Sequence, residues 1–172
     1  MKKAIGFIFL AFLLFSSPVH AESDYVLPYP SAMPGSIFYK LDLIQEEVLK
    51  YWYYGDFGQF KYNLKQSDKY LVEAKTLFDY KQYLLGYSAL QKSNDFYKKV
   101  KPALESAAGN KKKIQDKVDI LFSASQKHIE ELTKMRGSIP QTFNWSPEKQ
   151  NPKRLNLSGL INQSIEQRLD GI

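Results

Sequence analysis

The sequence predicts an all-α fold: an antiparallel helical bundle of about four long helices plus a short C-terminal helix, behind an extended Pro-rich N-terminal arm. Three observations predict it. Apolar residues recur at alternating spacings of three and four through successive segments between residues 36 and 136. Glycine, proline or cap-forming residues punctuate those segments where the rhythm stops. No stretch sustains the two-residue alternation of a half-buried strand with turn chemistry on both sides.

The chain has 172 residues and opens with MKKAIGFIFLAFLLFSSPVHA. Lys2 and Lys3 precede an unbroken apolar run from Ala4 to Phe15, and Val19-His20-Ala21 ends on a small residue. This is the three-part pattern of a secretory signal peptide over 1–21, cleaved after Ala21. The run is short of the roughly 20 apolar residues that span a bilayer. An uncleaved N-terminal anchor is the other reading. After cleavage no transmembrane helix is expected.

Residues 22–35 carry Pro28, Pro30 and Pro34, which lack amide protons and favour an extended arm. Ser36 is a good N-cap for the first helix, whose apolar stripe is Ile37, Leu41, Ile44, Val48 and Tyr51. This stripe is expected to be buried against a second helix, and the first helix to end near Tyr54. Asp56 and Gln59 have capping-box spacing at the next start. The second stripe is Phe57, Phe60, Leu64, Ser67, Leu71, Ala74 and Phe78. Asp79 and Gln82 repeat the capping-box spacing. A third stripe runs Leu85, Ala89, Ser93, Phe96, Val100, Ala103 and Ala107, with a kink predicted at Pro102. Gly109-Asn110 reads as a stop and a new cap. The fourth stripe is Ile114, Val118, Leu121, Ser125, His128, Leu132 and Met135, closed by Gly137 and Pro140. Residues 137–154 read as a Pro-rich loop anchored by Phe143 and Trp145. A short amphipathic helix follows, with Leu157, Leu160, Ile161, Ile165 and Leu169 on one face.

The residue LPYPSAMPGSIFYKLDLIQEEVLKYW and the segment FKYNLKQSDKYLVEAKTLFDYKQYLLGYSALQKSNDFYKKV resemble a family of exported bacterial helical domains of unknown function. Members open with a Leu-Pro-Tyr-Pro-Gly-like arm. The resemblance spans about residues 25–108. It departs at Asp42, where lysine is usual, at Tyr70, where arginine is common, and at the Gly55–Gly58 turn. It implies an exported helical bundle and carries no catalytic residues with it.

Composition narrows the chemistry. The formal net charge is +6, and cleavage would remove two lysines. That mild surplus is no nucleic-acid footprint, which needs a clustered basic face. There are no cysteines, which excludes disulfides, thiolate nucleophiles and Cys-based zinc sites. Phosphate-binding glycine loops, the Gly-x-Ser-x-Gly elbow and the His-Glu-x-x-His zinc helix are missing. Glu46-Glu47 and Glu130-Glu131 are neighbours in sequence, so on a helix they point about 100° apart and form no acid/base couple. His128 falls on an apolar stripe with only Glu131 one turn away, which reads as a hydrogen-bonded core histidine. No catalytic residue, cofactor or metal site is assigned, and the chain reads as a non-enzyme.

Two surface features remain. The stretch YWYYGDFGQFKY holds seven aromatic residues. Tyr51, Phe57 and Phe60 fall on stripes, Trp52 flanks them, and Tyr53, Tyr54 and Tyr62 are left to face outward. Those three tyrosines are candidate contacts for a glycan or a protein partner. Lys111, Lys112, Lys113 and Lys117 form a basic patch, either a solvated helix end or a contact for an anionic surface. The expected function is a protein-interaction module at the cell envelope or outside the cell, with a small-ligand or glycan binder as the alternative.

Overall fold

The computed structural model describes residues 23–30, 32–148 and 151–171. The leader predicted over 1–21 lies outside the described residues, as does Glu22. The described chain is mostly helical: α1 (Ile37–Trp52), α2 (Gly55–Asp79), α3 (Tyr83–Tyr97), α4 (Val100–Gly109), α5 (Gln115–Ser138) and α6 (Leu157–Leu169). Between α5 and α6 sit β1 (Thr142–Trp145) and β2 (Lys153–Asn156), an antiparallel ribbon that pairs Phe143 with Leu155. The ribbon replaces part of the predicted loop. Strands of four residues are too short for alternation to stand out. Leu155 is buried and Phe143 packs at 5.1 Å from the Tyr83 ring, so the ribbon closes one end of the bundle.

The helix ends correct several expected caps. Ser36 caps α1 as its side chain accepts from the Phe38 amide. Neither expected capping box forms. The N-cap of α2 is Tyr54, and Gly55 at φ +74° makes the reversal between α1 and α2, a conformation open to glycine. Asp56 turns away to the end of α4, where its carboxylate accepts from Ser106 and, just past the helix, from Asn110 and Lys112. Asp79 closes α2, and Gln82 makes no side-chain cap for α3. The expected kink at Pro102 is a full break at Lys98–Lys99. Proline lacks the donor that would reach back to Lys98, and its ring crowds that carbonyl. Asn110 ends α4 and does not cap α5, which begins at Gln115. Gly86 lies against the Phe78 ring, where an added Cβ would sit 2.6 Å from ring carbons, so only glycine admits so close an α2–α3 approach.

Helices α2 and α5 run one way, and α3, α4, α6 and α1 the other. The core is layered along these axes. One apolar cluster holds Leu71, Ala74, Leu77, Phe78, Leu90, Leu132, Met135, Leu155, Leu157 and Ile161. The other holds Phe60, Leu64, Tyr97, Val100, Leu104, Leu121 and Ala124. Between them each main helix contributes a fully buried serine: Ser67, Ser93, Ser125 and Ser164. These small residues make room for the Arg168 side chain, which is 0% exposed.

Candidate interaction surface

Helix α1 lies on α2 with its polar side inward. Tyr39, Asp42 and Glu46 recur at helical spacing and meet a polar stripe on α2. Lys69 bridges Asp42, at 3.4 Å, and Glu46. The Tyr70 hydroxyl donates to Glu46 Oε2 at 2.6 Å, and that of Tyr62 to the Glu46 carbonyl at 3.2 Å. The Tyr39 hydroxyl reaches Glu73 Oε1 at 3.4 Å. Burial, with Glu73 nearby, pushes the Tyr39 phenol up to about 12. Burial also raises Glu73, whose Oε2 has no partner.

The consequence overturns the expected packing of α1. No residue of α1 is buried, and the stripe predicted for the core faces solvent: Ile37 is 83% exposed, Ile44 63% and Tyr51 75%. Leu41 and Val48 are exposed with them, and so are Phe38 and Trp52 at its edge. Tyr51 and Trp52 therefore do not belong to the core. Spacing located the stripe and not the direction it faces. The clue lay in α2, where Lys69, Tyr70 and Glu73 offer charge and hydroxyl partners to the other side of α1.

The three tyrosines left outward by the sequence are separated. Tyr62 is buried at 5% exposure, Tyr53 is half-buried, and Tyr54 is exposed. Tyr53 and Tyr62 pack at 5.9 Å with their planes 37° apart. Tyr62 also meets Phe96 edge-on, and Tyr70 stacks flat on Phe96 at 5.7 Å. These rings build the seam between α1, α2 and α3. They offer no open, coplanar platform for a sugar ring. Phe60 is core as expected, while Phe57 is half-buried under Lys112 and Lys117, whose ammonium groups lie 5.4 and 5.8 Å from its centroid.

The basic patch is partly neutralised. Lys112 pairs with Asp56 at 2.8 Å, and Lys117 with Asp116 at 2.5 Å. The hydrogen bonds from Lys112, Asn110 and Ser106 hold the Asp56 carboxyl down at about 2. Lys111 sits in the turn after α4 at φ +56°, and both it and Lys113 are exposed.

His128 is buried and hydrogen-bonded, as its place on the α5 stripe predicts. Its Nε2 lies 2.8 Å from Asp68 Oδ1, and Arg168 Nε donates to its Nδ1 at 3.5 Å. That donation fixes the Nε2–H tautomer, so Nε2 donates to Asp68. Asp68 Oδ2 accepts from the Tyr25 hydroxyl of the arm at 2.6 Å. Arg168 also donates to Asn94 Oδ1 and to Ser93 Oγ, the latter at 2.9 Å, and stacks 4.6 Å from the Tyr97 centroid. Burial brings the Arg168 guanidinium down to about 10. An Asp–His pair serves a nucleophile when a hydroxyl or thiol occupies the other ring nitrogen. Here Arg168 fills that place, so the arrangement binds α2, α3, α5, α6 and the arm together. Sequence reading identified His128 and missed Asp68 and Arg168. A serine at the middle of the second, third and fourth stripes (Ser67, Ser93 and Ser125) was the available signal, since small polar residues there leave space for something larger.

The arm also roofs a cleft of about 920 Å³ above α2, lined by Tyr25, Leu27, Phe57, Phe60, Leu64 and Lys65 among others. Among the described residues, no group of three or more His, Asp or Glu side chains is placed to hold a metal ion. Among them too, no helix is long and apolar enough to cross a membrane. No protein-family model, curated protein or solved structure matches this chain.

Proposed function

We propose that this protein is an exported helical interaction module of the bacterial envelope or exterior, and that the outward face of α1 is where it docks a protein partner. The observation that carries the reading is the orientation of α1, whose polar side is latched to α2 while Ile37, Leu41, Ile44, Val48 and Tyr51 face solvent. Monomeric proteins seldom leave contiguous apolar patches beyond about 300–600 Å² uncovered. Seven apolar side chains are exposed along that face of α1, Ile37, Phe38, Leu41, Ile44, Val48, Tyr51 and Trp52, three of them aromatic, which is a contiguous patch and not scattered single residues. The leader-like opening and the arm's resemblance to exported helical domains support the location. With Tyr62 buried, a glycan platform has no comparable support.

Hydroxyl-radical labelling tests the docking face. Phe38, Tyr51 and Trp52 should be protected in intact expressing cells and labelled in the purified chain at nanomolar concentration. Equal labelling in both settings would remove the reading. N-terminal sequencing of the secreted or envelope fraction should begin at Glu22, and a chain confined to the cytoplasm would overturn export.

A further inference from the structure

We infer that the partner of α1 is a second copy of this chain, packed antiparallel through α1 in one register. This rests on the docking reading above. The outward stripe is spaced 4, 3, 4, 3, the heptad rhythm of a two-helix seam, with Leu41 and Val48 at a and Ile37, Ile44 and Tyr51 at d. The flanking g positions are Lys40 and Glu47, one of each sign, and both side chains are exposed.

Charge selects the arrangement. Antiparallel helices set a opposite d and g opposite g. In one register Leu41 meets the second copy's Ile44, Ile37 meets its Val48, and Lys40 faces its Glu47; the two-fold axis makes each contact twice. Sliding by one heptad brings Glu47 against the other Glu47, a like-charge contact. Parallel pairing sets g opposite e, so Lys40 meets Gln45 and Glu47 meets Trp52, with no ion pair. Only the first register unites a continuous apolar seam with two complementary ion pairs. The inward latch of Tyr39, Asp42 and Glu46 onto α2 holds α1 ready, so pairing does not have to order the helix.

A membrane surface is the competing occupant and fits less well. Surface-lying helices are rich in lysine and arginine on the polar face. With Asp42 and Glu46 turned inward to Lys69, the solvent side of α1 carries only Lys40 and Lys50 beside Glu47, a surplus of one positive charge and no basic cluster.

The test uses the full-length chain as purified, in sedimentation velocity across about 1–100 μM, with liposome flotation as a control. The wild type should sediment at twice the monomer mass, and Ile44→Glu as a monomer with unchanged helical circular dichroism. Lys40→Glu alone and Glu47→Lys alone should each shift to monomer by at least tenfold in dissociation constant. An equimolar mixture of those two variants should regain the dimer, as a heterodimer. A monomeric wild type, a dimer indifferent to Ile44→Glu, or flotation with anionic vesicles in place of dimer formation would overturn the inference. So would failure of the mixture to pair. A monomeric wild type whose α1 is still shielded in cells would leave the docking reading standing and remove the second copy.

Discussion

His128 Nε2 and Asp68 Oδ1 lie 2.8 Å apart across 60 residues of sequence, both buried between two apolar layers. Burial lowers the His128 pKa below 6.5, with Arg168 adding to the effect and the Asp68 hydrogen bond opposing it. The unfolded chain therefore takes up this proton first. The stabilisation is whole above pH 6.5 and is lost as pH falls through the folded value. The stability of the wild type against urea should fall as pH drops below 6.5. His128→Gln, less stable at neutral pH, should lack that slope. Parallel pH profiles for the two proteins would contradict this account. Asp68, Arg168, Tyr25 and Tyr97 are the other groups around the ring and remain in both proteins.

Arg168 is the donor that Asn94, Ser93 and His128 share. Replacing it with methionine keeps much of the volume but leaves the Asp68 charge and three side-chain acceptors without it. Breaking a buried charged network from one side typically costs about 3–5 kcal/mol. Arg168→Met should lose that much in denaturant unfolding, and a loss near zero would show the network is dispensable.

Glu73 behaves in the opposite sense. Its carboxyl is raised by burial, with Lys92 and Lys69 working against the shift. A raised acid favours the folded state fully below its unfolded value of 4.5, and that benefit is lost as pH climbs through the folded value. Glu73→Gln should therefore raise the melting temperature at pH 7, with the gain shrinking toward pH 4.5. A uniform loss at every pH would mean the charge is needed against Lys69 or Lys92.

Tyr25 pins the arm to Asp68 through one hydroxyl. Tyr25→Phe should lose about 1.5–3 kcal/mol of local stability, as expected for a hydrogen bond to a charged group. The change should appear as faster amide exchange and proteolysis at 23–30, with α2 to α6 unaffected. Unaltered exchange in the arm would place its anchorage in Ser23, which donates to Glu130 and Ser123, and in Leu27.

The fold class was legible because helical periodicity records which residues share a face. Leu71, Leu132 and Ile161 could be placed on that basis alone. Periodicity does not record which of two faces turns inward, and α1 has two at once: Ile37–Leu41–Ile44 and Tyr39–Asp42–Glu46. An apolar stripe normally wins the core, but Lys69 and Tyr70 compete for Glu46 from across the interface, and the stripe is left outside. The caps failed for a related reason. Asp56 found three donors at the C-terminal end of α4 and in the turn beyond it that local reading could not bring near. Arg168 was hidden because a lone arginine on a short helix looks solvated until Ser93, Asn94 and His128, 40 to 75 residues away, are known to meet it.

The position of Arg168 also sets an order of events during synthesis. Its partners Ser93 and Asn94 precede it by 75 and 74 residues, so the polar layer stays incomplete until α6 has emerged. A chain appearing N-terminus first can form its helices early, but it cannot lock them. A nascent chain with an open centre stays pliable, and it becomes rigid only when its last helix arrives.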